Sequence, residues 1–147
     1  MPFTVRRLEL RDKARWLALF EAYNAFYNTA IPDDVVALTW GQLISGAPDC
    51  HVGLVAEDDA GTVVGLAHVL FHRSTWSPTT CCYLEDLFVD PAMRAKGAGR
   101  CLIAAVYAEA DARQCTRTYW LTEESNDRAR GLYDQMAAKT NFVQYRR

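Results

Sequence analysis

The stretch from residue 84 to residue 106 constrains the fold of this chain more than any other. An apolar run is followed by the turn Arg-Ala-Lys-Gly-Ala-Gly at 94–99 and then by a second apolar run. This order predicts a strand that turns tightly into a helix. The first N–H groups of such a helix lack intrahelical acceptors, and Gly97 and Gly99 let the backbone approach a ligand closely. Because the helix dipole and the converging amides favour an anion, the turn predicts a phosphate site.

Three basic side chains, Arg94, Lys96 and Arg100, surround this turn and add positive charge to it. A strand-to-helix connection can also carry glycine for purely structural reasons, so a plain turn is the alternative. The sequence contains neither G-x-G-x-x-G nor G-x-x-x-x-G-K-[ST], the fingerprints of dinucleotide and nucleoside-triphosphate sites. The predicted ligand is therefore some other phosphorylated molecule.

A family resemblance follows from these residues. Val89-Asp90-Pro91 followed by Arg94-x-x-Gly97-x-Gly99 resembles motif A of the GCN5-related N-acetyltransferases (GNAT), whose [QR]-x-x-G-x-[GA] turn holds the pyrophosphate of acetyl-CoA. The string at 83–89 also resembles the diamine and polyamine acetyltransferases, in the histone and polyamine branch of that superfamily. The resemblance is specific in the second half of the chain and weak in the first. It implies acetyl-CoA as co-substrate, bound by the turn residues Arg94, Ala95, Lys96, Gly97, Ala98, Gly99 and Arg100.

The strand before the turn is a second candidate part of the cofactor site. From the residues alone, the apolar side chains of Leu87, Phe88 and Val89 belong to the core. The resemblance implies that their backbone splays from the neighbouring strand, pairs with the pantetheine arm and directs the Val89 amide at the thioester oxygen. An amide placed there would stabilise the developing oxyanion.

Two residues near the end of the chain are further candidates. Asn126 and Tyr133 lie seven positions apart, nearly two helical turns, so a helix would project them from almost the same face. The resemblance implies that Asn126 binds the cofactor and that Tyr133 protonates the departing CoA thiolate. A phenol with a pKa of about 10 keeps its proton at neutral pH, and a thiolate whose acid has a pKa of about 8.5 can accept one. The structural alternative is that Tyr133 is a core aromatic at helical spacing.

Glu85 is the candidate base. Strand alternation predicts that it shares a face with Tyr83, Leu87 and Val89, while Asp86 points the other way. Its position matches the carboxylate that acts through water in the resembling diamine acetyltransferases. A carboxylate with a pKa of about 4.3 is a poor base for an ammonium of about 10.4, so Glu85 could instead orient a cationic acceptor or accept from backbone amides.

Composition limits the class of protein. The 147 residues are half hydrophobic, enough for one core, and predict a single domain at 1–147. A net charge of −2 gives no basic field for nucleic acid or an anionic membrane. The first ten residues contain no apolar segment of signal-peptide length, and the sequence has no uncharged apolar stretch long enough to span a bilayer. We therefore expect a cytoplasmic protein. The cysteines are odd in number and have no C-x-x-C spacing, which predicts reduced thiols and no metal site: Cys50, Cys81, Cys82, Cys101 and Cys115.

The predicted fold class is α/β (α+β), a single GNAT-like domain with a mixed central sheet flanked by helices. The predicted order is βααβββαβαβ, which is the acetyltransferase order. Periodicity and turn residues place strands at 3–8, 51–57, 62–71, 81–89, 116–121 and 141–145, and helices after Asp12, after Pro32, after the 94–99 turn and at 127–138.

Other polar and aromatic residues receive no chemistry from their pattern. His68 and His72 share a face of a predicted strand, but nothing completes a zinc set, so packing or surface roles are expected. The aromatic residues at 23, 26, 27, 40 and 76 are expected mostly in the core, although the two front helices shape the acceptor pocket in the resembling enzymes. Acidic side chains there could meet a cationic substrate or form a solvated face: Glu21, Asp33 and Asp34.

The combined prediction is an acetyl-CoA-dependent N-acetyltransferase in which a primary amine attacks the thioester directly. Polyamines, lysine side chains of proteins such as histones, and amino acids are candidate acceptors, with a small cationic amine or lysine preferred. Two alternatives remain, a non-catalytic acyl-CoA-binding sensor and an unrelated phosphate-binding regulator. The resemblance alone implies a homodimer.

Overall fold

The computed structural model describes residues 2–49 and 51–147. Over these residues the chain forms five strands and four α-helices in the predicted order, without the predicted final strand. Short 3-10 turns at Leu10–Asp12 and Pro91–Met93 precede the first and third helices. The elements are β1 Thr4–Arg7, α1 Lys13–Phe26, α2 Asp33–Ser45, β2 Val52–Glu57, β3 Val63–Arg73, β4 Thr80–Val89, α3 Ala98–Ala112, β5 Arg117–Tyr119 and α4 Asp127–Met136.

The strands form one mixed sheet in the order β1-β2-β3-β4-β5. The first four are antiparallel neighbours, and β5 pairs with β4 in parallel after the crossover through α3. The predicted fold class, an α+β domain with a mixed sheet between helices, is confirmed.

Each face of the sheet is covered by a hydrophobic cluster. Under α3 the cluster includes Val69, Leu84 and Ile103, with Leu87 and Val89 packed against it. Under α1 and α2 the other cluster includes residues such as Trp16, Leu66 and Phe88. Because both faces are buried, the central strands β2 and β3 are almost continuously apolar rather than alternating.

Strand β4 contains a bulge at the candidate base. His68 pairs with Asp86, but the next residue of β3, Val69, pairs with Leu84, which leaves Glu85 as the extra residue. A bulge shifts the alternation of side chains along its strand. Leu84 and Leu87 therefore pack against the same α3-side cluster although they are three positions apart. The simple alternation that predicts one shared face for Tyr83, Glu85, Leu87 and Val89 is therefore interrupted at the bulge.

The outer edge of β4 is paired over only part of its length. The ladder to β5 joins Cys81 to Arg117, Cys82 to Thr118 and Tyr83 to Tyr119, and it ends there. In the described part of the chain, β4 from Leu84 onward has no strand on this side.

The predicted final strand at 141–145 is wrong, because those residues form no strand in the structure. Phe142, Val143 and Tyr145 are 75–92% exposed. Local alternation predicts β structure only where a partner edge and a buried face exist, and this segment packs on neither within the described chain.

No helix of the described ranges combines the length and apolar composition needed to cross a membrane.

Candidate active site

The 94–99 turn has the backbone that its sequence predicts. Gly97 has φ +101° and is the N-cap of α3, and Ala95 also has positive φ, +62°. A Cβ on Gly97 would touch nothing within 4 Å, so its backbone conformation and not lack of space requires glycine there. At Gly99 the limited space favours glycine instead, because a Cβ there would lie 3.2 Å from Leu132 Cδ2 of α4. The two glycines thus serve a left-handed turn and a close contact between helices.

The basic side chains of the turn point in different directions. Arg94 Nε donates to the Val89 carbonyl at 3.1 Å, and its guanidinium lies over the Phe88 ring, 5.3 Å from the centroid. Arg100 instead contacts Gln135 and the sulfur of Met136 at the end of α4. Lys96 is exposed. The groups that this turn offers to an anion are therefore mainly the N–H groups at the start of α3, with the Arg100 charge directed elsewhere.

Asp90 fixes the start of this turn. Its carboxylate accepts from the Ala92 amide at 3.0 Å and from Arg15 Nη2 at 2.7 Å, and its own amide donates to the Val64 carbonyl at 2.8 Å. These hydrogen bonds and the nearby Arg15 charge lower the pKa of Asp90. The turn is thus attached to both α1 and β3.

A small pocket lies beside the open edge of β4. Its volume is about 20 Å³, about one water molecule. Glu85 and Tyr133, the two predicted catalytic residues, both line it. The structure therefore brings together two residues that are 48 positions apart in the chain. The remaining lining residues are Tyr23, Tyr27, Leu84, Leu87, Trp120, Leu121 and Thr122.

Tyr133 is a half-buried residue of α4, and Trp120 packs edge-on against its ring with centroids 5.4 Å apart. Burial, with a smaller contribution from Tyr27, raises the pKa of Tyr133 to about 12. The phenol therefore holds its proton at neutral pH, as a proton donor must.

Glu85 borders the same pocket from the bulge of β4. Glu85 is exposed as a whole residue, but partial desolvation of its carboxyl and the nearby Asp86 charge raise the pKa of Glu85 above its ordinary value of 4.5. A higher pKa makes a carboxylate a better base, which reduces the mismatch with an amine. An orienting role for Glu85 remains compatible with this geometry.

Asn126 lies outside the body of α4, as its N-cap, and not on the helix face predicted to carry both it and Tyr133. Its Nδ2 donates to Thr122 Oγ1 at 3.0 Å. Because Thr122 lines the pocket, Asn126 holds the segment after β5 against it. Cofactor contact by Asn126 remains a prediction.

The sequence analysis did not predict a hydrogen-bonded chain that joins Trp16, His68 and Asp86. Buried His68 accepts from Trp16 Nε1 at Nε2, 2.9 Å away, and its Nδ1 lies 2.9 Å from Asp86 Oδ2. Thus Asp86, predicted to point away from the site, anchors a buried polar chain. The pairing of His68 with Asp86 depends on the strand register and its bulge, for which the sequence carries no local signal.

The aromatic and acidic residues considered for the core or the acceptor pocket lie in different parts of the structure. Tyr23 and Tyr27 line the pocket and Trp40 is buried, but Phe26 and Trp76 are 56% and 95% exposed, so their assignment to the core is wrong. Glu21 and Asp33 line a separate groove of about 640 Å³ between α1 and α2 and do not reach Glu85.

The described cysteines form no disulfide with one another. Cys81 and Cys82 are buried free thiols, and Cys101 and Cys115 are also free. Cys50 lies outside the described residues. Among those residues, no group of three or more His, Cys, Asp or Glu side chains is arranged to hold a metal ion.

This chain is similar to known proteins over most of its length. Residues 16–137 match the acetyltransferase (GNAT) family model. The chain is 34% identical over 143 residues to the D-amino-acid N-acetyltransferase HPA3 of Saccharomyces cerevisiae, covering 97% of this chain and 89% of that protein. It is 32% identical over 147 residues to the uncharacterized N-acetyltransferase YhfO of Bacillus subtilis, covering 96% and 94%.

Solved structures agree at the level of the fold. The structure of AAC(6')-Iy in complex with the bisubstrate analogue CoA-S-monomethyl-acetylneamine superposes with a TM-score of 0.81 at 22% identity, covering 99% of this chain and 97% of that one. A crystal structure of a probable acetyltransferase gives 0.83 at 17% identity, with 97% and 95% covered. The family match and the relatives above 30% identity show that this chain belongs to the acetyltransferase (GNAT) family and is an N-acetyltransferase.

Proposed function

We propose that this enzyme transfers the acetyl group of acetyl-CoA directly to a primary amine in the pocket between Glu85 and Tyr133. The observation that carries the proposal is the continuity of three features. The 94–99 turn, the unpaired edge of β4 and the pocket follow one another along the same strand. An extended molecule anchored at the turn by its phosphates would reach the pocket along that edge.

The residues present suit coenzyme A. The N–H groups at the start of α3 offer donors to a diphosphate, and positive φ at Ala95 and Gly97 shapes the turn that presents them. Leu87, Phe88 and Val89 pair with β3 on one side, and the opposite edge, which carries no strand in the described chain, offers hydrogen bonds to a pantetheine arm, as an added strand would. Arg94, Lys96, Ala98, Gly99 and Arg100 contribute through their backbone or charge, and Asn126 supports the far wall through Thr122.

The chemistry of the pocket follows from its two ionisable residues. Acetyl-CoA supplies an acetyl thioester, whose carbonyl carbon bonds to the amine nitrogen as the carbon–sulfur bond breaks. Tyr133 gives its proton to the leaving sulfur, and Glu85 receives, through water, the proton that the nitrogen loses. The products are an N-acetyl amine and a free thiol. The Val89 amide is the proposed donor to the developing oxyanion.

The charge of the pocket supports a cationic acceptor. Glu85 lines it, and no lysine or arginine is among its described lining residues. A polyamine or a lysine side chain fits this balance, which favours the diamine or histone branch. A free amino acid, the acceptor class in the name of the yeast relative, would bring a carboxylate that needs a cationic partner.

The test has two steps. First, calorimetry with CoA should show binding, and weaker binding of nucleotides that lack pantetheine. Second, free-thiol release from acetyl-CoA should be measured with polyamines, histone peptides, D- and L-amino acids and aminoglycosides. Turnover of cationic amines only is expected. Binding without turnover of any acceptor would favour the acyl-CoA sensor instead, and equal binding of nucleotides would favour the phosphate-binding regulator.

Two expectations about the assembly are also proposals. The exposed apolar segment at 141–145 supports a homodimer in which this segment finds a partner, as the family resemblance implies. Free thiols at the described cysteines support a reducing, cytoplasmic location. Sedimentation of the full chain tests the first, and fractionation of the source cells tests the second.

A further inference from the structure

Arg15 of α1 contacts two places beside the start of the 94–99 turn, and it has no part in the proposed mechanism. Its Nε donates to the Val63 carbonyl at 2.8 Å, at the beginning of β3. Its Nη2 donates to Asp90 Oδ2 at 2.7 Å, directly after the end of β4. One planar guanidinium therefore joins a front helix to β3 and to the first residue of the turn segment, residues 90–97, which connects β4 to α3.

Asp90 extends this attachment into the backbone of the turn segment. Its other carboxylate oxygen, Oδ1, accepts from the Ala92 amide at 3.0 Å, and its carbonyl accepts from the Met93 amide at 2.8 Å. Its own amide donates to the Val64 carbonyl, also at 2.8 Å. Because Arg15 holds one carboxylate oxygen and the backbone of the segment holds the other, the orientation of the segment depends on α1.

The turn segment has little packing of its own to fix its shape. Met93 packs against the cluster under α3, and the residues from Pro91 to Gly97 are all exposed or half-buried. Ala95 has φ +62°, a conformation that is unfavourable for a residue with a Cβ. Such a segment has competing conformations, so the hydrogen bonds at its start contribute to selecting one of them.

We propose that Arg15 is a positioning residue for CoA, which acts through Asp90 to hold the turn segment in the conformation that binds the diphosphate. The inference rests on the proposed function and deepens it, since it assigns part of the CoA affinity to a residue outside the turn. Without Arg15 the segment spends time in other conformations, and the apparent CoA affinity falls by the fraction of binding-competent molecules.

The first test is Arg15→Met, which keeps an unbranched stem and removes both hydrogen bonds. The Kd for CoA from calorimetry and the KM for acetyl-CoA should rise by about 3- to 10-fold, with kcat and the amine KM within about twofold of the wild type. The melting temperature should change little, because the side chains of Arg15 and Asp90 are 39% and 27% exposed. An unchanged Kd would overturn the inference.

A direct attraction between the Arg15 charge and the diphosphate is the alternative, and Arg15→Lys tests it. Lysine keeps the charge, but its single ammonium lacks the planar fork that reaches the Val63 carbonyl and Asp90 together. Positioning predicts that Arg15→Lys binds CoA nearly as weakly as Arg15→Met does. Full recovery of the wild-type Kd by lysine would overturn the inference.

A double-mutant comparison tests the link through Asp90. Asp90→Asn keeps an oxygen for the Ala92 amide but removes the charge that pairs with Arg15. If Arg15 acts through Asp90, adding Arg15→Met to Asp90→Asn should weaken CoA binding little further. Additive losses would contradict the link.

Arg7→Met is the matched control. It breaks another exposed arginine–carboxylate pair, in which Arg7 donates to Glu109 near the C-terminal end of α3 at 2.9 and 2.7 Å. Its Kd for CoA should equal that of the wild type. An equal loss of affinity in Arg7→Met would show a general effect of lost ion pairs and would overturn the inference.

The attachment can also be measured without ligand or activity. Amide hydrogen exchange of the full chain should be faster at Ala92 and Met93 in Arg15→Met than in the wild type, and unchanged exchange would contradict the link. Absence of CoA binding by the wild-type protein would reject the proposed function. Wild-type binding together with an unchanged Kd in Arg15→Met would reject only this inference.

Discussion

The two ends of the proposed active site are built from different parts of the chain. The proposed donor end is formed largely by backbone, through the left-handed turn at Gly97, the start of α3 and the open edge of β4. The proposed acceptor end is a pocket lined by side chains from α1, β4 and α4, among them Tyr23, Glu85 and Tyr133. A backbone site requires a local conformation, whereas a side-chain site requires the correct packing of several distant elements. The donor end should therefore tolerate changes in side chains that the acceptor end does not.

The largest effect is expected at the acceptor end. Tyr133→Phe removes the proposed acid and should lower kcat by about 10²- to 10⁴-fold, because thiolate departs without a proton. The affinity for CoA should remain close to that of the wild type by calorimetry. A kcat equal to the wild type would remove Tyr133 from the chemistry.

Backbone strain should give the next largest effect. Gly97→Val places a β-branched residue at φ +101°, a conformation that costs about 1–3 kcal/mol, equivalent to about 5- to 150-fold in CoA affinity if folding is retained. Calorimetry and thermal melting should be measured together. Gly41→Ala is the matched control, because a Cβ there meets nothing within 4 Å in the middle of α2.

Calorimetry of Lys96→Ala tests whether backbone shape contributes more to CoA binding than side-chain charge does. Lys96→Ala should weaken CoA binding by only a few-fold, in line with about 0.3–1 kcal/mol for an exposed charge near a helix terminus. A loss larger than that of Gly97→Val would show that side-chain charge, not backbone shape, dominates the donor end.

The next prediction concerns the pH dependence of kcat/KM, which distinguishes Glu85 as a general base from Glu85 as an orienting residue. Its pKa is raised, so the proton is held to a higher pH than by an ordinary carboxyl. If the ionised form is the base, kcat/KM should fall as pH decreases through that raised value. Glu85→Gln should remove this acidic limb and lower kcat/KM at neutral pH by about 10-fold or more. An unchanged pH profile with a higher amine KM would assign Glu85 to orientation only.

The raised pKa of Glu85 also predicts how the free energy of unfolding changes with pH. The folded protein binds this proton more tightly than the unfolded chain does, so ionisation is less favourable after folding. The contribution of Glu85 to the free energy of unfolding should therefore decrease as pH rises from below 4.5 through the raised pKa. Glu85→Gln should flatten that part of the stability curve, and a steeper curve would contradict the assigned shift.

The smallest effect is expected at the C-terminal segment. Removing residues 141–147 should change the free energy of unfolding of the monomer by less than about 0.5 kcal/mol, because their side chains are exposed. Denaturant titration at low protein concentration checks this. A larger loss that depends on protein concentration would show that the segment packs in an oligomer.

The sequence by itself determined the backbone of the 94–99 turn and most of the fold. Periodicity and turn residues located nine elements, and the pattern at 94–99 was sufficient to predict a tight strand-to-helix turn, since the φ preference of glycine is a property of one residue. Tyr133 and Glu85 were predicted as catalytic residues from local strings that resemble the family, and the two residues line one pocket. These features depend on local backbone conformation, which neighbouring residues in the sequence determine.

Tertiary structure decided the rest. The bulge at Glu85 sets the alternation of β4, and it joins His68 to Asp86 across 18 positions of sequence. The segment at 141–145 has a strand-like pattern but no partner in the described chain, so it remains without a strand. Register, burial and partner edges are collective properties of the packed sheet, and no local pattern can supply them.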